Sequence, residues 1–430
     1  MKAVISNKIY LNNPGAELSK KIIDTLTYKF KKDTGSKHFS SIETIRNYKI
    51  IGNGIISVPQ GRKDLIPQGW EIVDKRVLIP APFPDPKFEL RPEQQEVCDE
   101  ITDTCFINAL VGWGKTFTAL HLARKLGQKT LVITHTTALR DQWSEEIENL
   151  FGIPVGIIGS GKLDWEDHAI TVANVQTLVK HCNTLSKEFG TVILDEAHHC
   201  PATTFTQIID TFHSRFRIAL SGTMQRKDGK HVLFQDYFGN HVIKPAQSNT
   251  LAPTVRTVNT GITLKHGATW VEKVNTLAND TSYQEFIASI AKQEIGEGHQ
   301  VLIIADRVEF LRNVKEYIGE NCVLVTGETG FDERQAIKQQ LLNREKMSIA
   351  GSRQIFSEGI SINSLSCVIL AIPMNNDSLL EQIIGRIQRQ YPDKLDPLVI
   401  DLQFAGWADK RQNRNRLGLY LRKGWHIETV

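Results

Sequence analysis

Two clusters of residues in this 430-residue chain have the types and spacing for phosphate chemistry. The first is Ala109-Leu110-Val111-Gly112-Trp113-Gly114-Lys115-Thr116. It follows a short apolar run, 105–110, and precedes a helical pattern, 117–126, which is the strand–loop–helix setting of a phosphate-binding loop. Gly112 and Gly114 can take backbone angles closed to other residues, so successive N–H groups can turn inward on a phosphate. The following helix aims its positive dipole end at the same place. Lys115 is then set to reach the β- and γ-phosphates of a nucleotide, and the Thr116 hydroxyl to hold Mg²⁺. Ala109 stands where the general pattern has a glycine. The second cluster is Asp195-Glu196-Ala197-His198, closing the apolar run 191–194. Doubly wound domains bind ligands beyond the carboxyl ends of their strands, so these carboxylates are expected to face the crevice of Lys115. Asp195 is placed to hold Mg²⁺, largely through water, and Glu196 to orient or deprotonate an attacking water. No partner set makes His198 a zinc ligand.

Such a site needs a covered parallel sheet behind it, and the chain has the rhythm for two. From 88 onward, short β-branched runs at 130–134, 169–173, 191–194 and 217–220 alternate with helical patterns that include 138–150 and 204–212. After a less regular connection over 239–261, a second alternation follows. Strands are expected at 301–305, 322–326, 347–350, 367–371 and 398–401, and helices at 283–297, 308–318 and 333–342, the last N-capped by Asp332. The second alternation has no phosphate loop of its own. Ahead of both, residues 1–85 form a small α+β unit. Strands are predicted over 2–11, 48–58 and 70–79, and a helix over 14–30; four prolines between 80 and 86 make a linker. The fold expected is α/β, two tandem doubly wound parallel-sheet domains at 86–245 and 246–430, with an N-terminal accessory domain at 1–85 and a basic C-terminal helix over 410–423.

Bulk properties exclude several classes. A composition of 41% hydrophobic and 23% charged residues is that of an ordinary globular protein. No apolar run approaches the ~18 residues of a membrane span, and the first residues lack a signal-peptide core. Six cysteines without C-x-x-C spacing read as reduced, buried thiols, not as a disulfide frame or zinc site, so work in the cytoplasm is expected. Net charge is only +3, yet residues 1–63 carry +8 and the remainder −5, so a polyanion contact is expected at the N-terminal end.

The two clusters together resemble the phosphate loop and D-E-A-H box of superfamily 2 helicases, which have two RecA-like domains, and further motifs follow in order. Leu90-Arg91-Pro92-Glu93-Gln94 resembles the segment in which Gln94 reads the adenine edge with Arg91 nearby. The segment 134–139 with Gln142-Trp143, and the segment 171–178, resemble motifs that touch the nucleic-acid backbone, here through Thr136, Gln176 and Thr177. Ser221-Gly222-Thr223 resembles S-A-T. In the second half, 301–311 resembles motif IV, and Thr326-Gly327-Glu328-Thr329 resembles a phosphate-contact element through Thr326 and Gly327. Segment 352–362 resembles motif V, with Gly359 at the nucleotide and Ser361 where many relatives have Asp. Gln382-Ile383-Ile384-Gly385-Arg386-Ile387-Gln388-Arg389 fits Q-x-x-G-R-x-x-R. By that resemblance Arg386 and Arg389 are arginine fingers on one helix face, and Gln382 helps place water. ATP and Mg²⁺ are the implied substrate and cofactor.

The resemblance covers about 88–402 and is nearest to phage helicases of the branch-migration type, more distantly to XPB-like enzymes. It implies an ATP-dependent motor on branched duplex DNA in recombination, repair or replication, monomeric by default and working in the host cytoplasm if phage-encoded. Two other readings stand beside it: a D-E-A-H RNA helicase, and an ATP-gated binding module without unwinding activity. Trp70 and Phe83 have the chemistry to stack on bases, against core or linker packing as the plainer use. The segment 67–79 is the candidate strand-separating pin.

Overall fold

The computed structural model describes residues 1–32, 41–52, 54–110, 112–196, 202–222, 230, 232–245, 250–358 and 362–429. Apart from residues 111–113, two compact units emerge, Met1–Leu110 with Gly114–Ala246 and Gln247–Val430.

The first unit is built on an eight-stranded sheet in the order Lys162–Leu163, Gly156–Gly159, Ile170–Asn174, Thr130–Thr134, Thr191–Leu194, Phe216–Ser221, Cys105–Asn108, Val242–Ile243. All are parallel except the two-residue edge strand Lys162–Leu163. The central strands are buried on both faces, as their continuous apolar runs require once helices cover the sheet. Register brings three carboxyl ends together. Leu194 lies opposite Ala219, and Ala219 opposite Phe106, so the ends of Thr191–Leu194, Phe216–Ser221 and Cys105–Asn108 open onto one edge.

In the N-terminal part a five-stranded sheet runs Lys49–Ile51, Ile55–Pro59, Lys8–Asn12, Lys2–Ile5, Glu71–Asp74 around its own small core, including Ile9, Leu11, Ile22 and Val58. Several expectations change here. The run 2–11 is a hairpin of two strands, broken at Ser6-Asn7, and 48–58 is a second hairpin. The helix expected over 14–30 stops at Thr25, where Thr27-Tyr28-Lys29-Phe30 switches to period-two alternation and pairs antiparallel with Ser41–Arg46. Of 70–79, only Glu71–Asp74 is strand. Asn53, in the turn expected at 52–54, lies outside the described residues.

This N-terminal layer is fastened to the large sheet by buried polar groups. Asp236 is fully buried and accepts hydrogen bonds from Tyr28 Oη (3.0 Å), Asn47 Nδ2 (2.6 Å) and Arg62 Nη1 (3.0 Å). Burial pushes its carboxyl up, and the three donors oppose that. The Gly61 N–H donates to the Asp236 carbonyl at 2.9 Å, and a side chain there would bring a Cβ to 2.5 Å from the Gly239 nitrogen. Arg217, also fully buried, donates to the carbonyls of Asn7 (2.8 Å) and Phe212 (2.7 Å), and burial brings its guanidinium down to about 10. Asp236→Ala strands three donors in the seam; we expect a loss of about 3–5 kcal/mol, read as a lowered urea midpoint of the full chain, with an unchanged midpoint refuting the fastening.

The proline segment is a strap rather than a free linker. Ala81 N–H donates to the Gly127 carbonyl (3.1 Å), Lys129 N–H to Ile79 (2.6 Å) and Val77 N–H to His213 (2.8 Å). Prolines donate nothing, so the non-proline N–H groups and the carbonyls make these bonds. Phe83 packs edge-on against Phe151, with ring centroids 5.9 Å apart, and Trp70 lies against the N-terminal core.

The second unit is a seven-stranded, all-parallel sheet in the order Cys322–Val325, Ser348–Ser352, Val301–Ala305, Cys367–Leu370, Leu398–Gln403, Thr254–Asn259, His426–Thr429. The connection expected over 239–261 therefore holds two strands, Val242–Ile243 and Thr254–Asn259. Thr254-Val255-Arg256-Thr257 alternates polar and apolar residues and Val242–Ile243 is only two residues long, so neither makes an apolar run of strand length. Helix Phe331–Leu342 is capped by Gly330, and Asp332 falls inside its first turn. The basic tail is helix Trp407–Arg422.

Candidate active site

The phosphate loop is built as its sequence requires. Gly112 has φ +84° and Gly114 φ +96°, both in the left-handed region, and Gly114 caps helix Lys115–Leu126. Lys115 is buried, and its ammonium donates to the carbonyls of Ala109 (3.0 Å) and Leu110 (3.4 Å). The amine is thus held inside the loop by backbone carbonyls. Thr116 is half-buried in the first turn. Gln94 is buried beside the loop: a Cβ on Gly114 would lie 2.5 Å from its Nε2, so a side chain at 114 would displace this amide. Its Oε1 accepts from Arg91 N–H at 3.1 Å, and the Arg91 side chain pairs with Glu93 at 2.8 Å.

Asp195 stands at the end of its strand, its N–H donating to the Ile133 carbonyl (3.1 Å). Both its carboxylate oxygens have donors: Glu196 N–H at 2.9 Å and the Trp143 indole N–H at 2.7 Å. Burial, then the neighbouring charge of Glu196, pushes the Asp195 carboxyl above the usual carboxylate range, while Trp143 and the Lys115 charge pull it back. Glu196 has φ +46°, a conformation costing about 1–3 kcal/mol for such a residue and concentrated at functional sites. Left-handed glycines, a buried lysine on loop carbonyls and a buried acid opposite that lysine fit the phosphates of a nucleotide and a hard cation. His198, Thr223, Gly359 and Ser361 lie outside the described residues.

The segments expected to touch nucleic acid sit at neighbouring strand ends, Thr134 being paired with Asn174. Thr136 caps helix Thr137–Phe151, its hydroxyl accepting from Leu139 N–H at 3.2 Å. Gln176 is exposed in the first turn of helix Val175–Leu185 and donates to the His135 carbonyl at 3.1 Å, with Thr177 half-buried beside it.

In the second unit, Thr326 belongs to a tight turn: its N–H donates to Thr329 Oγ1 (3.0 Å) and its hydroxyl accepts from Glu328 N–H (3.2 Å), leaving Gly327 exposed. Gln382 is buried in helix Asp377–Ile384. The arginines do not share a helix face. Beyond Ile384 the hydrogen bonds tighten to i→i−3, from Arg386 to Ile383 and from Ile387 to Ile384, so the helix ends before either arginine. Arg386 is buried, its Nε donating to the Phe356 carbonyl at 2.9 Å. Arg389 donates to Asn363 Oδ1 at 2.9 Å. Lys394 then binds the carbonyls of Arg389 (2.6 Å) and Asn363 (3.2 Å), and burial followed by the Arg389 charge brings its amine down to about 8. Trp143, Asn363 and Lys394 had no role from sequence: each meets its partner through the fold, and only the place of Trp143 in a quoted motif pointed to it.

A RecA-like domain with a phosphate loop and paired acids, followed by a second parallel-sheet domain, defines the class of ATP-dependent nucleic-acid motors. Residues 87–226 match the family described as type III restriction enzyme, res subunit, and residues 282–390 match the helicase conserved C-terminal domain. The chain is 41% identical over 439 residues to “Probable helicase D10” of Escherichia phage T5, covering 100% of this chain and 96% of that one. It is 25% identical over 319 residues to “ATP-dependent DNA helicase uvsW” of Enterobacteria phage T4, covering 68% of this chain and 63% of the relative. Among solved structures, Saccharomyces cerevisiae Dbp5 bound to RNA and ADP BeF3 shares the fold with a TM-score of 0.57 at 11% identity, over 79% of this chain and 89% of that one. The chain belongs to the superfamily 2 helicases and hydrolyses ATP.

Proposed function

We propose that this helicase works on DNA and remodels branched duplexes, driving branch migration of junctions and forks. The observation that carries the reading is the N-terminal layer, which holds most of the chain's excess positive charge and is fastened to the ATP-binding sheet through Asp236 and Arg217. In its ribbon, Tyr28, Phe30 and Ile45 turn toward the large core, while Lys29 and Arg46 are exposed. A basic surface rigidly joined to a motor domain can grip a second duplex arm while the motor moves, without reading sequence. The phage T4 relative, named a DNA helicase, supports the same choice.

In the site, Lys115 and the loop N–H groups bind the β- and γ-phosphates, Gln94 reads the adenine edge with Arg91 nearby, and Gly359 approaches the nucleotide. Thr116 and Asp195 would hold Mg²⁺, Asp195 largely through water; the bound cation neutralises phosphate charge. Glu196 orients or deprotonates the attacking water, and Gln382 helps place it. Arg386 and Arg389 stabilise the charge that spreads over the transferred phosphoryl group. Thr136, Gln176, Thr177, Thr326 and Gly327 contact the nucleic-acid backbone, with helix N-termini behind the first three.

RNA is the second reading, raised by the fold shared with an RNA-bound protein. ATPase rates with a four-way DNA junction, linear duplex DNA and structured RNA separate the two. We expect the junction to stimulate most, by about tenfold over linear duplex, and strand exchange to follow on the junction; stimulation by RNA alone would overturn the reading.

A further inference from the structure

We propose that Trp143 is a positioning residue for the Mg²⁺-holding carboxylate: its indole N–H fixes Asp195 in one rotational state ready for the cation. The inference rests on the reading of Asp195 as a magnesium holder. The contact is short, 2.7 Å, and both residues are buried. An indole N–H only donates, so one carboxylate oxygen is tied to it, while the other is tied to Glu196 N–H. With both oxygens aimed by protein donors, the carboxylate cannot swing into its apolar surroundings. The ring is itself anchored: it lies in helix Thr137–Phe151 on the face that also buries Leu139, Ile147 and Leu150. Ligand-orienting partners of this kind typically change metal affinity by about ten- to a hundredfold.

The test uses the full chain with ADP and MgCl₂. In Trp143→Phe the ring remains and the N–H is lost. We expect the magnesium concentration giving half-maximal tightening of ADP binding to rise about tenfold, while ADP affinity in EDTA is unchanged. A merely structural role would weaken ADP binding with and without magnesium alike, and that outcome, or an unchanged magnesium requirement, overturns the proposal. The unmodified protein gives an independent reading. With ¹⁵N-labelled tryptophan, the Trp143 indole resonance, identified by its loss in Trp143→Phe or by selective labelling if that variant does not fold, should shift when MgCl₂ is added to the ADP complex. A stationary resonance counts against the proposal. Asp195→Asn separates the two readings: retention of the normal magnesium requirement in that variant removes the role of Asp195 itself, whereas its loss together with a normal Trp143→Phe removes only the role of Trp143.

Discussion

Lys115→Ala lowers ATP hydrolysis at saturating ATP and DNA by at least about a thousandfold. The ammonium is buried, is held by the Ala109 and Leu110 carbonyls, and is the positive charge within the loop itself. Replacing it leaves the loop N–H groups to bind phosphate but removes the loop's own positive charge from the β–γ bridge and the γ-oxygens. The loop takes its shape from Gly112 and Gly114, so the variant should fold, with a thermal midpoint lowered only by the loss of the bonds to the Ala109 and Leu110 carbonyls. Steady-state phosphate release is the measurement. A rate within tenfold of the parent protein would remove the assignment of the site.

Arg389→Ala lowers kcat by about a thousandfold or more while ATP binding changes by only a few-fold, because an arginine finger acts on the transition state. Fluorescent-nucleotide titration beside steady-state hydrolysis distinguishes this from general damage: equal losses in both count against the role. Arg386 is the less clean probe. Its Nε bonds to the Phe356 carbonyl in a buried position, so its removal disturbs packing between two motifs of the same domain. Arg389 is half-exposed and donates to Asn363, a side chain that can be varied separately. Lys394 holds the backbone of the same residue, which gives Arg389 a defined departure point.

Residue type and spacing determined the chemistry of this protein. A G-x-G-K-T loop between an apolar strand and a helix, and D-E at the end of another apolar strand, are local patterns whose physics is complete within a dozen residues. The strands 130–134, 191–194 and 301–305 were legible to the residue, because buried parallel strands have no polar face to confuse them. The strands Thr254–Asn259 and His426–Thr429, which alternate, were not.

Tertiary structure decided what depends on partners far apart in the chain. Whether 80–86 is a linker or a strap turns on carbonyls and N–H groups at Gly127 and Lys129, which no local pattern names. The N-terminal layer reads as a separate basic unit, yet Asp236 joins it to the motor sheet through residues about 190 positions away. The arginines at Q-x-x-G-R-x-x-R have helical spacing, but the helix tightens after Ile384 and turns Arg386 inward. The second acid of the loop–acid pair was clear from sequence; the indole that aims the first was not, because an N–H donor 52 residues upstream becomes a partner only when helix Thr137–Phe151 is laid against its strand.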